Sequence, residues 1–261
     1  MLNQLVVLMI GDVTGEAGIY ALKKRLADLK HDFEADLVVV NGENAAEGYG
    51  LNEQCAKQIF DSGADVITSG NHIWEKRDFL DYMQNESRIL RPANYPEGAM
   101  GRGSITLEKK GVLLRIINLQ GREFMAPIDC PFRKFDEITN VKEPKAINIV
   151  DFHAESGREK EAFAFYIDGR AAALAGTHTH VQTADERVLP CGTAYISDLG
   201  MTGSGNSVIG MNSAICLERT RTQVFYKLEC AVSDPAIQGA LIRINTETGN
   251  AASIERLSLL C

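Results

Sequence analysis

The sequence predicts an α/β protein in which a largely buried sheet is built from strands that alternate with helices. Short apolar runs rich in β-branched residues recur along the 261 residues, and stretches with helical patterning separate them. With 45% apolar residues, a chain of this length can bury a substantial core. No repeat, low-complexity tract or linker rich in Pro and Ser interrupts it, so we expect a single domain over residues 1–261.

Seven segments have the length and composition of buried strands. They are LVVLMI at 5–10, DLVVV at 36–40, DVITS at 65–69, LLRIINL at 113–119, AINIV at 146–150, AAALAG at 171–176 and TAYIS at 193–197. Between the early strands, the patterns at 18–30, 52–62 and 74–84 predict helices. Asn52 is suited to be the N-cap of the second helix, and Gly63 is suited to the position just past its end.

Two further segments predict β-hairpins. One covers the run GRGSITLEKKGVLLRIINLQGR, with Lys110 and Gly111 at its turn. The other lies in the C-terminal part, where alternating runs flank TETGNA. We expect the C-terminal hairpin to complete a second sheet layer.

Polar residues follow five of the predicted strands at the point where each strand ends. The segments are GDVTG, NGENAA, GNH, DFHAE and GTHTH. Ligands of open α/β sheets bind outside the carboxyl ends of the strands, so these five tips are expected to converge on one crevice. Four of the five histidines lie at such tips, and we interpret the fifth, His31, as a surface residue.

The side chains at these tips offer imidazole, carboxylate and amide groups without thiolates. Any single tip of this kind is more often a structural turn than a ligand, but five together favour a site for divalent metals such as Fe, Mn or Zn. His178 and His180 are two residues apart. They could reach different metals once the backbone leaves the strand at Gly176.

Charge and cysteine content limit the partners and the compartment. The formal net charge is -8, with no stripe of Lys and Arg, which argues against binding to a nucleic-acid duplex or an anionic membrane. The first 15 residues have neither a basic leader pattern nor an apolar run long enough to span a bilayer. The six cysteines form no CxxC pair, which is typical of reduced thiols, and we predict a cytoplasmic protein.

The tips and several longer phrases carry a resemblance to a known family. The order of Asp12, an acidic tip, GNH, an isolated His and GTHTH resembles the five-block pattern of calcineurin-like metallophosphoesterases. NGENAAEGYGL, GNHIWEK, RPANYPEG, NLQGR, DFHAE, GTHTHVQTADERVLPCGTAYISDLGMTG and VIGMN are similar to the YmdB branch of that superfamily, over nearly the full chain. The resemblance implies a four-layer αββα sandwich.

The resemblance also implies a ligand set and an activity. One metal would be bound by Asp12, Glu43, Asn44 and His180, and the other by Glu43, Asn71, His153 and His178, with Glu43 bridging. The expected cofactors are two divalent or mixed-valence transition metals, with iron first and manganese or zinc as alternatives. The expected enzyme is a metal-dependent phosphodiesterase that hydrolyses small phosphate esters, 2′,3′-cyclic nucleotides in particular, by attack of a metal-bridging hydroxide.

This chain departs from the general superfamily pattern at two points. The first block has Asp12, Val13 and Thr14 where most members have Asp-x-His, and the second offers Glu43 and Asn44 in place of an aspartate. The YmdB branch is expected to show both changes.

Another departure is at position 19. Relatives tend to carry Arg after the glycine that is Gly18 here, whereas this chain has Ile19, which puts any phosphate contact from that position in doubt.

Two residues beside the expected ligands invite catalytic hypotheses. His72 follows Asn71, and the family pattern leaves it free of metal, so we interpret it as the catalytic group that stabilises the developing charge or protonates the leaving alkoxide. Asp65 or another carboxylate would orient it, while a structural hydrogen bond at the next helix is the alternative role. Thr179 has no apparent base, so we interpret it as a spacer that orients the two flanking histidines.

Three accounts of function remain open from the sequence. A phosphodiesterase is favoured, and a non-catalytic or weakly catalytic metal-binding regulator that acts through partner binding is the alternative. GDVTGEAG after the first strand raises a nucleotide-binding oxidoreductase, but its glycines do not match GxGxxG. The expected partner is a small phosphate ester such as a cyclic nucleotide. A homodimer or homotetramer is left open, as is whether exposed residues at 201–212 line the pocket or a dimer contact.

Overall fold

The computed structural model describes residues 3–140 and 145–261. Its strands are β1 (Gln4–Ile10), β2 (Asp12–Val13), β3 (Leu37–Asn41), β4 (Val66–Thr68), β5 (Ser104–Lys109), β6 (Val112–Gln120), β7 (Ile147–His153), β8 (Ala173–Thr177), β9 (Arg187–Val188), β10 (Ala194–Ile196), β11 (Met201–Ser204), β12 (Pro235–Asn245) and β13 (Ala251–Leu260). Its α-helices are α1 (Gly15–Asp32), α2 (Glu53–Asp61), α3 (Leu80–Asn85), α4 (Pro131–Thr139), α5 (Gly157–Ile167) and α6 (Ser213–Thr222).

The strands form two sheets. The first has the order β2-β11-β12-β1-β3-β4, with β13 also paired to β12, and the second has the order β5-β6-β7-β8-β10-β9. Parallel pairing joins β1 to β3 and β3 to β4 in the first sheet. In the second sheet β6, β7, β8 and β10 are parallel in turn. Each sheet therefore sends the carboxyl ends of its parallel strands to one edge.

Apolar side chains alternate across β1 and divide the core into layers. Leu5, Val7 and Met9 pack between the two sheets, against side chains such as Ile116 from β6. The residues between them point the other way, toward the layer of α1, α2 and α3. On the far face of the second sheet, aromatic and aliphatic side chains of α4 and α5 form a third cluster, which includes Phe163. The predicted four-layer αββα sandwich of the calcineurin-like fold is confirmed.

Most predicted elements are present with small changes at their ends. All seven predicted strands form, and the first two predicted helices correspond to α1 and α2. Asn52 caps α2 by accepting a hydrogen bond from the backbone N–H of Cys55 at 2.8 Å. Gly63 follows the end of this helix with a φ of 115°, a conformation that glycine adopts without a steric cost.

The helix predicted over 74–84 is wrong in its first half. Two 3₁₀ helices, Asn71–Trp74 and Arg77–Phe79, precede α3, which begins only at Leu80. The helical conformation is interrupted at Lys76, whose backbone is extended with φ -108° and ψ 95°. Ile73 and Phe79 are both buried, so the apolar spacing that predicts a helix is satisfied by two tight turns instead.

Both predicted hairpins form, but one joins a different sheet from the one expected. Lys110 and Gly111 make the turn between β5 and β6 with φ values of 51° and 75°, as a two-residue hairpin turn requires. The C-terminal hairpin of β12 and β13 extends the first sheet, because β12 pairs with the whole length of β1. It therefore does not complete a second layer, which the middle of the chain builds instead.

Among the described residues, no helix is long and apolar enough to cross a membrane. All six cysteines are free of disulfide bonds. His31 is exposed, as expected, with 91% of its side chain accessible.

Candidate active site

The five polar tips meet at one edge of the sandwich, and they come from both sheets. Asp12, Glu43 and Asn71 lie at or just after β2, β3 and β4 of the first sheet. His153 ends β7 of the second sheet, and His178 directly follows β8. The expected convergence is therefore a meeting of two sheets rather than the crevice of one open sheet.

Glu43 is at the centre of the group. Its Oε1 lies 3.0 Å from His153 Nε2 and 3.2 Å from Asn44 Nδ2. His153 Nε2 is also 3.1 Å from Asn71 Oδ1 and 3.0 Å from His178 Nδ1. Atoms that can bind a metal on Glu43, His153 and His178 all lie within 4.8 Å of one another, close enough to share one ion.

A second group lies on the other side of Glu43. Asn44 Nδ2 is 3.1 Å from His180 Nε2, and His180 Nε2 is 3.9 Å from Asp12 Oδ1. The Oδ1 atoms of Asp12 and Asn44 are buried without a hydrogen-bond partner among the described residues. Buried oxygens of this kind are costly unless something pairs with them, and a bound cation would supply that pairing.

In each of the three clustered imidazoles, one ring nitrogen faces an oxygen outside the cluster. His153 Nδ1 is 2.9 Å from Thr177 Oγ1, His178 Nε2 is 3.0 Å from Glu155 Oε2, and His180 Nδ1 is 2.9 Å from the carbonyl of Ile209. A ring N–H donated to such an acceptor fixes the tautomer. The remaining nitrogen of each ring is then free to bind a metal, so the donor set is suited to divalent metal ions.

A buried carboxylate lies behind His153. Thr177 Oγ1 donates to Asp151 Oδ1 at 2.7 Å, and Asn41 and Thr68 donate to the other oxygen of Asp151. Thr177 can therefore accept the His153 proton while giving its own to Asp151. Sequence reasoning missed these positions, although Asp151 belongs to the quoted DFHAE segment.

The backbone around His178 and His180 is strained, and hydrogen bonds to a neighbouring side chain hold the residue between them. His178 and His180 have φ values of 106° and 63°, which non-glycine residues rarely adopt. Between them, Thr179 donates to Asp198 Oδ2 from its backbone N–H at 3.1 Å and from its hydroxyl at 2.8 Å. The buried ammonium of Lys160 contacts the same oxygen at 2.8 Å. Thr179 thus spaces and orients the pair, with two partners that sequence reasoning did not find.

Burial and charge set the pKa values of the cluster. Burial raises the pKa of Asp12 to about 6, against the attraction of His180 and His153. At Glu43 burial also acts upward, but the charge and hydrogen bond of His153 outweigh it, and the pKa falls to about 2. Burial opposes the charged form of His153, yet Glu43 and Asp12 raise its pKa to about 9. Burial beside the His153 charge lowers the pKa of His178 to about 3, which leaves this ring neutral.

His72 borders the cluster through its backbone. Its N–H donates to Glu43 Oε2 at 3.1 Å, and its ring lies edge-on to Tyr49 with centroids 5.2 Å apart. The carboxylate beside the ring is Glu75, with Oε1 3.5 Å from Nδ1. Asp65 is not that partner, because it pairs with Lys30 and Lys109 instead.

Glycine at position 70 lets the GNH tip approach His153. A Cβ at Gly70 would lie 2.1 Å from the His153 ring, far inside van der Waals contact. The tip can therefore present Asn71 to the His153 nitrogen only because residue 70 has no side chain.

A cavity of about 800 Å³ opens over the cluster. Its lining includes Glu43, Asn44, His72, His178 and His180, together with side chains of the 201–212 segment and of α6: Val208, Ile209, Met211, Cys216 and Arg219. Val208, Ile209 and Met211 of the 201–212 segment therefore line the pocket. Ile19 is buried and lines a different cavity, beside Tyr20 and Lys23.

Comparisons with known proteins give the class and then the family. A phosphatase structure from Mycoplasma pneumoniae has a TM-score of 0.94 and 34% identity, covering 100% of this chain and 95% of that one. A Thermus thermophilus structure described as a hypothetical protein has a TM-score of 0.92 and 37% identity, covering 98% and 99%. Together, the fold and the site define a phosphoesterase of the calcineurin-like class.

Within that class, the chain belongs to the YmdB-like protein family, whose model matches residues 8–257. A curated relative from Bacillus subtilis (strain 168), named 2′,3′-cyclic-nucleotide 2′-phosphodiesterase, is 43% identical over 252 residues, which cover 96% of each chain. The predicted family and the predicted enzyme class, a phosphodiesterase, are confirmed by these matches.

Proposed function

We propose that this chain is a dinuclear metal-dependent phosphodiesterase that hydrolyses small phosphate esters, 2′,3′-cyclic nucleotides in particular. The observation that carries the proposal is that three imidazoles, each anchored on one nitrogen, lie beside the Glu43 carboxylate and two buried oxygens that have no hydrogen-bond partner in the part of the chain that the structure describes. The substrate class is supported by the name of the Bacillus subtilis relative.

We divide the proposed ligands into two sets around Glu43. The contact between Asn44 and His180 supports one set, and the contacts of His153 with Asn71 and His178 support the other. Asp12, Asn44 and His180 would hold one metal with Glu43, and Asn71, His153 and His178 would hold the other with Glu43. Glu43 Oε1 lies close to a member of each set, which suits it to bridge. Iron is the first candidate, with manganese or zinc as alternatives, because imidazole, carboxylate and amide ligands without thiolates suit these ions.

Bound metals would supply Lewis acidity and lower the pKa of the attacking water. The chain itself contributes positioning and a proton. Glu155, Thr177 and the Ile209 carbonyl orient the three imidazoles. His72 lies outside the ligand set at the cavity wall, where it would protonate the leaving alkoxide or stabilise its charge.

A non-catalytic regulator is not favoured. Such a protein would not need an open cavity with a further histidine beside the proposed ligands, and His72 lies at the wall of such a cavity. The names of the relatives also state phosphatase or phosphodiesterase activity.

The test compares Glu43→Gln with His31→Ala after reconstitution with iron, manganese or zinc. We expect Glu43→Gln to lose most activity on 2′,3′-cyclic AMP, because a neutral amide cannot replace a carboxylate shared by two cations. His31→Ala, on an exposed helix end, should keep the parental rate. Equal rates for the two variants at saturating metal, with a panel of diesters and monoesters, would refute the bridging role.

A further inference from the structure

The cavity extends well beyond the metal ligands. Its volume of about 800 Å³ is within the range of about 300–1,000 Å³ that binds whole small molecules. Apart from the ligand cluster, its lining is largely apolar and aromatic, with Tyr49, Val224, Phe225 and Leu228. A bare phosphate would leave this part of the cavity unused.

Arg219 is the cation in that part of the lining. Its neighbour Glu218 pairs with Arg221 at 3.0 Å, and Arg219 itself forms no ion pair with any residue in 3–140 or 145–261. Its guanidinium carbon lies 5.3 Å from the centroid of the Phe225 ring. The charge is therefore free for a ligand, and it lies over an aromatic residue that is 79% exposed.

Tyr49 connects this pair to the reaction centre. Tyr49 lines the same cavity as Arg219 and Phe225. Its ring lies edge-on to His72, with centroids 5.2 Å apart. An aromatic and cationic wall thus runs from His72 to the exposed Phe225.

We infer that Tyr49, Arg219 and Phe225 form a nucleobase subsite that sets specificity for nucleotides over diesters without a base. Bases stack on aromatic rings and on guanidinium planes, and Arg donates hydrogen bonds to base-edge acceptors. This inference rests on the proposed function, because the phosphate of the same ligand would lie at the metal cluster. The exposed stacking partner at Arg219 favours a base there over a second phosphate.

The test uses Arg219→Met and Phe225→Ala in the metal-loaded enzyme. Controls are Arg221→Met, on the same helix but paired with Glu218, and Phe124→Ala, an aromatic that is 87% exposed outside the cavity lining. Substrates are 2′,3′-cyclic AMP and ethylene glycol cyclic phosphate, which has the same five-membered ring but no base. Stacking contributes about 5- to 150-fold per base, so each subsite variant should lower the ratio of the two kcat/KM values, nucleotide over base-free, by about 10-fold or more.

The controls should keep the parental ratio. An equal loss on both substrates would place Arg219 at the phosphate and overturn the subsite, as would an unchanged ratio in both variants. If the parent hydrolyses neither diester, the proposed function fails, and calorimetric binding of 3′-AMP decides the subsite separately. Weaker binding by Arg219→Met than by Arg221→Met would then support it, and equal affinities would overturn it.

Discussion

At the scale of single residues, His72 differs from the other clustered histidines in what holds it. Its backbone N–H donates to Glu43, whereas the polar contact of its ring among the described residues is a long one, to Glu75 Oε1 at 3.5 Å. The side chain is 28% accessible, whereas that of His153 is fully buried. A ring with this freedom at the cavity wall is suited to exchange a proton with a substrate.

We expect His72→Ala to keep its metals and to lose about 10² to 10⁴ in turnover, the usual contribution of a general acid. The loss should be smaller for a nitrophenolate leaving group, which departs without a proton, than for an alkoxide. Metal analysis and kinetics on both diesters check this. Loss of one ion per chain would make His72 a ligand, and an unchanged rate per folded molecule would make it structural.

We expect Thr179 to act indirectly, by holding the backbone between His178 and His180 in place. We expect Thr179→Ala to weaken metal binding about 10- to 100-fold, the usual effect of removing a group that supports metal ligands, because the hydroxyl bond to Asp198 is lost. Turnover at saturating metal should be nearly retained. Thr179→Ser keeps the hydroxyl and should restore the parental affinity, measured by competition with a metal-binding dye. Unrestored affinity in the Ser variant, or loss of turnover in the Ala variant at full metal occupancy, contradicts the positioning role.

At the scale of elements, Asp65 joins three of them. Its Oδ2 accepts from Lys30 Nζ of α1 at 3.1 Å and from the Val38 N–H of β3 at 2.8 Å, and its Oδ1 accepts from Lys109 Nζ of β5 at 2.9 Å. Burial acts to raise the pKa of Asp65, but these partners outweigh it and lower the pKa below its ordinary value of 3.8. From the sequence, Asp65 was a candidate partner for His72, but in the structure its hydrogen bonds connect α1 with strands of both sheets.

The sign of this shift predicts a pH dependence. A carboxyl whose pKa is lower in the folded state stabilises the fold above the unfolded value and loses that contribution as the pH falls through the folded value. We expect Asp65→Asn to lower the free energy of unfolding by about 1–2 kcal/mol at pH 7, with the difference from the parent shrinking below about pH 4. Urea unfolding at both pH values measures it. A difference that stays constant on acidification would contradict this account.

At the scale of the whole molecule, the ligand cluster joins the two sheets. Asp12 and Glu43 lie at or just after strands of the first sheet, and His153 and His178 lie at or just after strands of the second. Without a cation, burial opposes the charge of Asp12 and raises its pKa to about 6. Bound metals would therefore stabilise the junction between the sheets as well as supply chemistry.

We expect about two transition metals per reconstituted chain and a lower melting temperature after chelation. A ligand present at 100 times its Kd adds about 2.7 kcal/mol to the free energy of unfolding. Elemental analysis and calorimetry with and without chelator measure both quantities, and Glu43→Gln is the variant in which chelation should matter least. No metal after careful reconstitution, or an unchanged melting temperature, would contradict the metal centre.

The single domain, the cytoplasmic location and any homodimer or homotetramer stay predictions.

Local patterns in the sequence were sufficient to predict the strands, the first two helices, the Asn52 cap and the polar tips. These features depend on side-chain alternation and on turn chemistry within a few residues, which act before any distant segment is packed. The resemblance added the ligand set and the layered fold. His178 and His180 could be assigned to one site from the sequence because both lie where a strand ends.

The tertiary structure alone decided which distant groups meet. In the structure the C-terminal hairpin pairs with β1, and the helix expected at 74–84 is interrupted. Asp65 forms ion pairs with Lys30 and Lys109 rather than with His72. The structure also places Asp198 beneath Thr179 and Arg219 in the cavity wall. These contacts join residues far apart in the chain, and their geometry follows from the packing of two sheets, which no local spacing in the sequence encodes.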